Sequence, residues 1–259
     1  MSRSKMKLGP AAIVSLVREL RRGSGDPRPL SVAGARELVP LLARELRAGG
    51  DASAVVEGRL ESVAVLIWVG AADEDALHEA DRNGVPIIAL TDAETVPYVL
   101  ATDLVRVPPG SGFPVEELAT AVARLLGEDS TSLAARLPVL RDAVCEELIR
   151  AFSRRNGLIA AVVFIPGVDM PALTINQARL VLRIGLAYGF ELDSQRGAEL
   201  AGVIGAGFGF RAVARELLDL VPFGGWAVKG AVAYTGTRAV GEAAVRYFAA
   251  RAAAESDSA

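Results

Sequence analysis

The sequence contains very few cysteine, histidine and aromatic residues. Cys145 and His78 are the only members of their types, and aromatic residues make up 5% of the 259 residues. One cysteine excludes an intramolecular disulfide, and this suits a reducing compartment such as the cytoplasm. One histidine and one cysteine exclude a zinc site built from the usual ligands within one chain. The shortage of aromatic side chains also argues against nucleic acid as a partner.

Long uncharged runs are also lacking. The longest covers residues 156–168, thirteen residues interrupted by Pro166, whereas a membrane-spanning helix needs about 20 mainly apolar residues. Residues 1–28 predict an amphipathic helix and a linker rather than a signal peptide, because an apolar core of sufficient length is missing. We therefore predict a cytoplasmic protein, with peripheral contact to the inner face of the membrane as the alternative.

The charge is unevenly distributed, although the net charge is only −3. Residues 1–130 carry 14 basic and 19 acidic side chains, whereas residues 131–251 carry 14 basic and 10 acidic side chains. Hydrophobic residues make up 51% of the chain, which is enough for a substantial core. The asymmetry predicts two parts with different surroundings.

The first part, residues 29–129, alternates between apolar strands and helices. SVAVLIWVG (62–70) and VPIIALT (85–91) are continuous apolar runs typical of buried strands. The prolines of DLVRVPPG (103–110) favour a short edge strand. Helical stretches between the strands imply βαβ units. We predict a small Rossmann-like parallel sheet of four or five strands.

The second part, residues 130–251, predicts an Ala/Gly-rich helical bundle, followed by a disordered tail at 252–259. The fold class is therefore α/β and then all-α. Glycines recur at Gly202, Gly205, Gly207 and Gly209. They favour close packing of helices, with membrane insertion and then ligand binding by the backbone as the weaker alternatives. Small-residue helices of this kind also predict self-association into a homo-oligomer.

The stretch VAGARELVPLLAREL (32–46) has the strand–glycine–helix order of a phosphate-binding loop. Gly34 is followed by neither a second glycine nor the Lys-Ser/Thr pair that such a loop requires. Glu37 would lie in the first turn of the helix, where a carboxylate repels phosphate. We interpret the stretch as an ordinary joint between a strand and a helix.

The remaining candidates for chemistry are isolated. Thr91-Asp92 lacks the Asn and Lys of a guanine-reading motif, and Asp92 is predicted to cap a following helix. His78 is predicted to be a solvated or half-buried helix residue, and Cys145 a structural thiol whose pKa is raised by Glu146 and Glu147. No catalytic residue, metal or cofactor is expected.

An alternative is a nucleotide-binding switch with an unusual pocket. In open α/β sheets, ligands bind at the carboxyl ends of the strands. The residues predicted to line such a pocket are Gly34, Arg36, Gly70, Asp73, Thr91 and Asp92.

Two stretches of the second part carry a family resemblance. They are IPGVDMPALTINQARLVLRIGLAYG (165–189) and AELAGVIGAGFGFRAVARELLDLVPFGGWAVKGAVAYTGTRAVGEAAVRYF (198–248). A Pro-Gly-x-Asp turn, an Asn-Gln pair before a helix, a Tyr-Gly stop and a Gly-rich helix resemble the YcjF-type bacterial domain of unknown function. That domain occurs beside, or fused to, Era-like GTPase domains, and its members are often membrane-associated.

The resemblance implies a partner-binding or membrane-proximal role. In the first part, IWVGAADED (67–75) and GVPIIALTD (84–92) resemble the later strands of a GTPase fold, but both nucleotide motifs are absent. GTP hydrolysis is therefore not expected. We predict a non-catalytic scaffold or adaptor that acts through its helical part, by contact with itself, with a protein partner or with a membrane surface.

Overall fold

The computed structural model describes residues 28–107, 110, 112–162, 170–190 and 226–256. The chain divides into one compact unit of residues 25–147 and a second unit that contains Leu148 and the residues after it. The strands are β1 (Leu30–Gly34), β2 (Val55–Glu57), β3 (Val65–Val69), β4 (Ile87–Thr91) and β5 (Leu104–Arg106). The α-helices are α1 (Val39–Leu46), α2 (Glu74–Arg82), α3 (Val115–Leu126), α4 (Thr131–Arg136), α5 (Arg141–Val162), α6 (Met170–Ala187) and α7 (Trp226–Ser256).

The first unit contains a single five-stranded parallel sheet in the order β2-β1-β3-β4-β5. All five residues of β3 are buried, as are all five of β4. This explains their unbroken apolar sequence, because strands covered on both faces do not alternate with polar residues. The sheet and the helical second part confirm the predicted fold class.

Alternate residues of the strands serve the two faces of the sheet. Leu66 and Trp68 of β3 share one hydrophobic cluster with Leu77 and Ala80 of α2. Ile67, between them, is fully buried and points to the opposite face. That face is covered by α1 beside β1 and β2, and by α3 beside β4 and β5. The result is a three-layer unit.

The stretch AETVPYVLAT (93–102), whose pattern predicts a short helix or a turn around Pro97, forms the turn, at Pro97 and Tyr98. Residues 92–100 contain no α-helix, and a single 3₁₀ turn follows at Ala101–Asp103. Tyr98 adopts a positive φ of 62° directly after Pro97. A proline that lacks an N–H, followed by a left-handed residue, cannot continue a helix.

A cluster of polar contacts ties the start of β2 to α4 in this unit. The Asp51 carboxylate accepts hydrogen bonds from the backbone N–H and hydroxyl of Ser53, at 2.8 and 2.7 Å, and from Nε of Arg136 at 3.0 Å. These bonds, first those from Ser53 and then that from Arg136, lower the pKa of Asp51 to about 2. The carboxylate is therefore charged across the whole physiological pH range.

The second unit consists of helices in its described part. Gly157 of α5 lies against Gly230 of α7, and Ile149 lies against Gly241, so these two helices run antiparallel. α7 continues to Ser256, with an Arg251–Glu255 ion pair of 3.3 Å. The first residues of the predicted tail at 252–259 are therefore helical.

Three predictions concern residues outside the described ranges. They are the amphipathic helix and linker of residues 1–28, of which only Arg28 is described, the glycine series at 202–209, and the last three residues of the tail. None of the helices in the described ranges combines the length and the apolar content that a membrane span requires.

Candidate functional site

The carboxyl ends of β1 and β3 are the place where an α/β sheet of this topology binds ligands. In the order 2-1-3-4-5, the direction of the connections reverses between β1 and β3, and this switch point opens a crevice in nucleotide-binding proteins. Gly34 ends β1 and pairs with Val69 of β3, and the Gly70 amide donates to the Leu90 carbonyl of β4 at 2.9 Å. The structure thus brings the predicted Gly34, Gly70 and Thr91 to one edge of the sheet.

The ends of β1 and β3 are in close backbone contact at this switch point. Gly34 has a φ of +119°, and a Cβ atom placed there would lie 2.2 Å from the Val69 carbonyl oxygen. The Ala35 amide donates to that same oxygen at 2.8 Å. On the other side, a Cβ on Gly70 would lie 3.1 Å from the Cβ of Ala35. The Ala35 bond continues the ladder between β1 and β3 by one step beyond Gly34, so the two strand ends are in direct contact.

The amino-terminal turn of α1 offers few free amides to an anion. Phosphate loops use the unpaired N–H groups at the start of the helix. Here the amides of Leu38 and Val39 both donate to the Ala35 carbonyl, each at 3.0 Å. Pro40 has no N–H. The Glu37 side chain is exposed beside this turn, and its negative charge disfavours an anion there.

The other predicted residues of this edge serve local turns or face solvent. Asp73 caps α2 as predicted, because its Oδ1 accepts from the Ala76 amide at 3.1 Å. Thr91 is buried, and its Oγ1 accepts from the Ala93 amide at 3.2 Å. Arg36 and Asp92 are exposed. The prediction that Asp92 caps a helix is wrong, because the turn after β4 is closed by the Thr91 hydroxyl instead.

His78 lies on the solvent side of α2, as predicted for a solvated helix residue. Its ring stacks on that of Tyr98, with centroids 5.1 Å apart and an angle of 12° between the planes. Tyr98 is 44% exposed, so the pair forms an aromatic surface beside the loop that follows β4.

Cys145 is a buried thiol on α5, 2% exposed. Burial, followed by the negative charge of Asp142, raises its pKa to about 12. The sequence-based prediction that the pKa is raised is confirmed, but the cause differs. Desolvation dominates, and the charge that matters is on Asp142, one helical turn away, rather than on Glu146 or Glu147.

We expect Cys145 to be unreactive in the folded protein. A thiol whose pKa is near 12 carries almost no thiolate at pH 8, and only the thiolate is nucleophilic. Iodoacetamide followed by intact-mass measurement should give no adduct on the native chain over a time that fully labels the chain unfolded in urea. Rapid labelling of the native chain at pH 8 would contradict the structure.

A buried polar network joins the three helices of the second unit. Asn156 of α5 donates from Nδ2 to Thr237 Oγ1 of α7 at 2.9 Å, and its Oδ1 accepts from Asn176 Nδ2 of α6 at 3.0 Å. Gln177 Nε2 donates to the same Thr237 Oγ1 at 3.1 Å. The Thr237 hydroxyl donates to the Ala233 carbonyl at 2.7 Å. Asn156 and Thr237 are fully buried, so these bonds are strong and specific.

Only part of this network is predicted from the sequence. Asn176-Gln177 belonged to the resemblance as a pair before a helix, but the structure places both inside α6, with Asn176 7% exposed. Asn156 and Thr237 are not among the predicted site residues. Their signal in the sequence is a polar residue at a core position of a helix, because Asn156 follows the buried Phe152 by four residues.

Side chains that can ligate a metal ion are not clustered in the part of the chain that the structure describes. There, no group of three or more His, Cys, Asp or Glu side chains is arranged to hold a metal ion.

The fold and the site define a two-unit protein: an α/β unit whose two central strands are in close contact at the switch point, followed by helices joined through a polar network. A family model described as "Domain of unknown function (DUF697)" matches residues 128–258, just over half of the chain. The chain belongs to this DUF697 family. No curated protein and no solved structure matches the chain.

Proposed function

We propose that the protein is a non-catalytic scaffold or adaptor that acts through contacts of its helical unit. The observation that carries this proposal is the joint between β1 and α1. There the amides of Leu38 and Val39 are already paired within the turn, and the carboxylate of Glu37 is exposed beside them. A Rossmann-like sheet with such a joint keeps the architecture of a nucleotide-binding domain without its cradle.

The helical unit is the interaction element in this proposal. Leu158 and Val162 are separated by one turn of α5 and are 67% and 69% exposed, and Val228 on α7 is 38% exposed. Leu158 and Val162 lie on the same face of α5, and large aliphatic side chains exposed together favour contact with a protein or a membrane surface.

The resemblance to the YcjF-type domain supports a more specific form of the proposal. In that form, the α/β unit is a degenerate GTPase-like domain that has kept the sheet, and the protein works beside an Era-like GTPase or at the inner face of the bacterial membrane. The Rossmann-like strand order β2-β1-β3-β4-β5 is compatible with such an origin.

The competing proposal is a nucleotide-binding switch with a pocket at the same edge of the sheet. Its favouring observation is the position of Gly34, Gly70 and Thr91 at the carboxyl ends of three neighbouring strands. Its binding residues would be Gly34, Arg36, Gly70, Asp73, Thr91 and Asp92.

A thermal-shift screen with GTP, ATP and dinucleotides distinguishes the two proposals. A ligand that binds only the folded state raises the melting temperature, and we expect no rise with any of these nucleotides. A rise in melting temperature that disappears in Asp92→Ala, but persists in the control Glu94→Ala, would contradict the scaffold proposal and support the nucleotide-binding switch. Both side chains are exposed in the same loop, so the pair isolates the role of Asp92.

A further inference from the structure

Tyr98 is fixed at the surface of the α/β unit by the residues on both sides of it. Val96 is buried in the hydrophobic cluster that lies under α2, and Val99 packs against the same cluster. The Val99 amide donates to the Val96 carbonyl oxygen at 3.3 Å, which closes the turn between them. Because both of these residues are anchored in the core, the loop holds the Tyr98 ring outside it, 44% exposed.

The backbone of Tyr98 adopts a conformation that disfavours a large side chain. Its φ of 62° lies in the left-handed region, where a bulky residue is an outlier. A turn with proline second and a left-handed residue third, closed by the bond from Val99 to Val96, has the pattern of a type II turn. Glycine or asparagine occupies that third position at the lowest cost. In this chain the position carries an exposed aromatic ring, and outliers of this kind concentrate at functional sites.

The ring of His78 joins Tyr98 to the exposed face of α2. The two rings are stacked, with centroids 5.1 Å apart and an angle of 12° between the planes. Residues three and four positions from His78 are its neighbours on the helix surface. Three of these four neighbours are exposed carboxylates, and the fourth is Arg82. The surface formed in this way, which we call the aromatic–acidic patch, consists of Glu74, Asp75, His78, Asp81 and Tyr98.

The charge at the aromatic–acidic patch is strongly negative. The two segments that form it, residues 73–82 and 92–100, contain seven acidic side chains and one basic side chain. The Tyr98 ring adds to this potential, because the face of an aromatic ring carries a partial negative charge. Each ring of the stack covers one face of the other, so the outer faces and the edges are the parts left to a ligand. A cation therefore complements the patch, whereas a phosphate, a nucleic acid or an anionic membrane surface is repelled.

We propose that the aromatic–acidic patch binds an arginine side chain on a basic segment of a partner protein. A guanidinium group is planar, so it stacks on an aromatic face and donates parallel N–H groups to a carboxylate. A lysine ammonium is a compact charge that cannot stack in this way. The inference goes beyond the proposed function, because it gives the α/β unit a binding surface of its own, in addition to that of the helical unit.

An NMR titration measures this binding directly at the patch. His78 is the only histidine of the chain, so the signals of its ring C–H groups report on the patch without further assignment. The probe is a short peptide of alternating glycine and arginine, added to the whole chain at constant pH. We expect a saturable shift of the His78 signals at about 0.05 M salt, where charges are little screened. The same peptide with lysine should bind about threefold more weakly, and the peptide with citrulline, which is planar but uncharged, should not bind.

Two variants test the ring and the carboxylates separately. Tyr98→Asn removes the ring but keeps a residue that tolerates the left-handed conformation, and we expect it to bind the arginine peptide about fivefold more weakly. Glu74→Gln with Asp81→Asn removes two charges of the patch and should weaken binding by a similar factor. The matched control is Glu116→Gln with Glu117→Gln, also an exposed pair, at the start of α3, which should bind like the unaltered chain. Melting curves by circular dichroism check that each variant is folded.

Three results of the titration would overturn the inference. They are no saturable shift with the arginine peptide, equal affinities for the arginine and lysine peptides, and the same loss of affinity in the control pair as in the patch variants. Light scattering tests a second copy of the chain as the occupant. Self-association of the unaltered chain that is lost in Tyr98→Asn would show that the patch binds another copy, and the inference would be wrong. The scaffold proposal would survive each of these results, because its own test is the nucleotide screen.

Discussion

Replacement of Gly34 by alanine is expected to lower the free energy of unfolding by about 3 kcal/mol or more, the range of severe single substitutions. The new Cβ would lie 2.2 Å from the Val69 carbonyl oxygen and 2.9 Å from the Val69 nitrogen. Both obstacles are backbone atoms in the middle of the sheet, so β1 and β3 would have to separate. Urea unfolding followed by circular dichroism measures the loss.

Gly84→Ala is the matched control for this prediction. Gly84 also has a positive φ, +67°, but no atom lies within 4 Å of the position of its Cβ. Gly84→Ala should therefore lower the free energy of unfolding only by the cost of the left-handed backbone conformation, about 1 kcal/mol. Equal losses at the two positions would show that the contact between β1 and β3 is looser than the structure has it.

Replacement of Asn156 by leucine is expected to lower the free energy of unfolding by about 2–4 kcal/mol, because it leaves buried polar groups without partners. The Asn176 amide would lose its acceptor, and the Thr237 hydroxyl oxygen would lose one of the two N–H groups that donate to it. A buried Thr237→Val change should cost less in the Asn156→Leu background than in the unaltered chain, since the interaction has already been removed. Urea unfolding of the four chains completes this cycle.

Ser153→Ala provides the control within the same helix. Ser153 is fully buried, one turn before Asn156, and its hydroxyl has no hydrogen-bond partner among the described residues. Removing that oxygen should change the free energy of unfolding by less than about 0.5 kcal/mol, because no bond is lost. If Ser153→Ala and Asn156→Leu lower the free energy of unfolding by the same amount, the Asn156 network contributes no more than ordinary packing.

The strands were predictable because their signal is local. VLIWV and IIALT are continuous apolar runs that only a doubly covered strand explains. The cap at Asp73 was equally local, since an acidic turn follows it directly. The loop at residues 92–100 was harder, because helix and turn signals overlap around Pro97.

The local structure at the switch point could be predicted only in part. The missing lysine and second glycine after Gly34 are visible in the sequence. The contact of Gly34 and Ala35 with Val69 depends on the register between strands about 35 residues apart, which local pattern does not determine. The Asn156 network is similar, because its partners Asn176 and Thr237 come from different helices and only packing brings them together.

The contact of Gly157 with Gly230 has a consequence for how this chain can change. A side chain on Gly157 would meet the Gly230 carbonyl oxygen at 3.2 Å, and one on Gly230 would meet the Gly157 carbonyl oxygen at 3.1 Å. Every amino acid carries that oxygen. A substitution at one position therefore cannot be compensated by a substitution at the other, and the two helices must separate by a few tenths of an ångström to accept either. Both positions limit the same distance, so the pair sets the closest approach of α5 and α7 twice over.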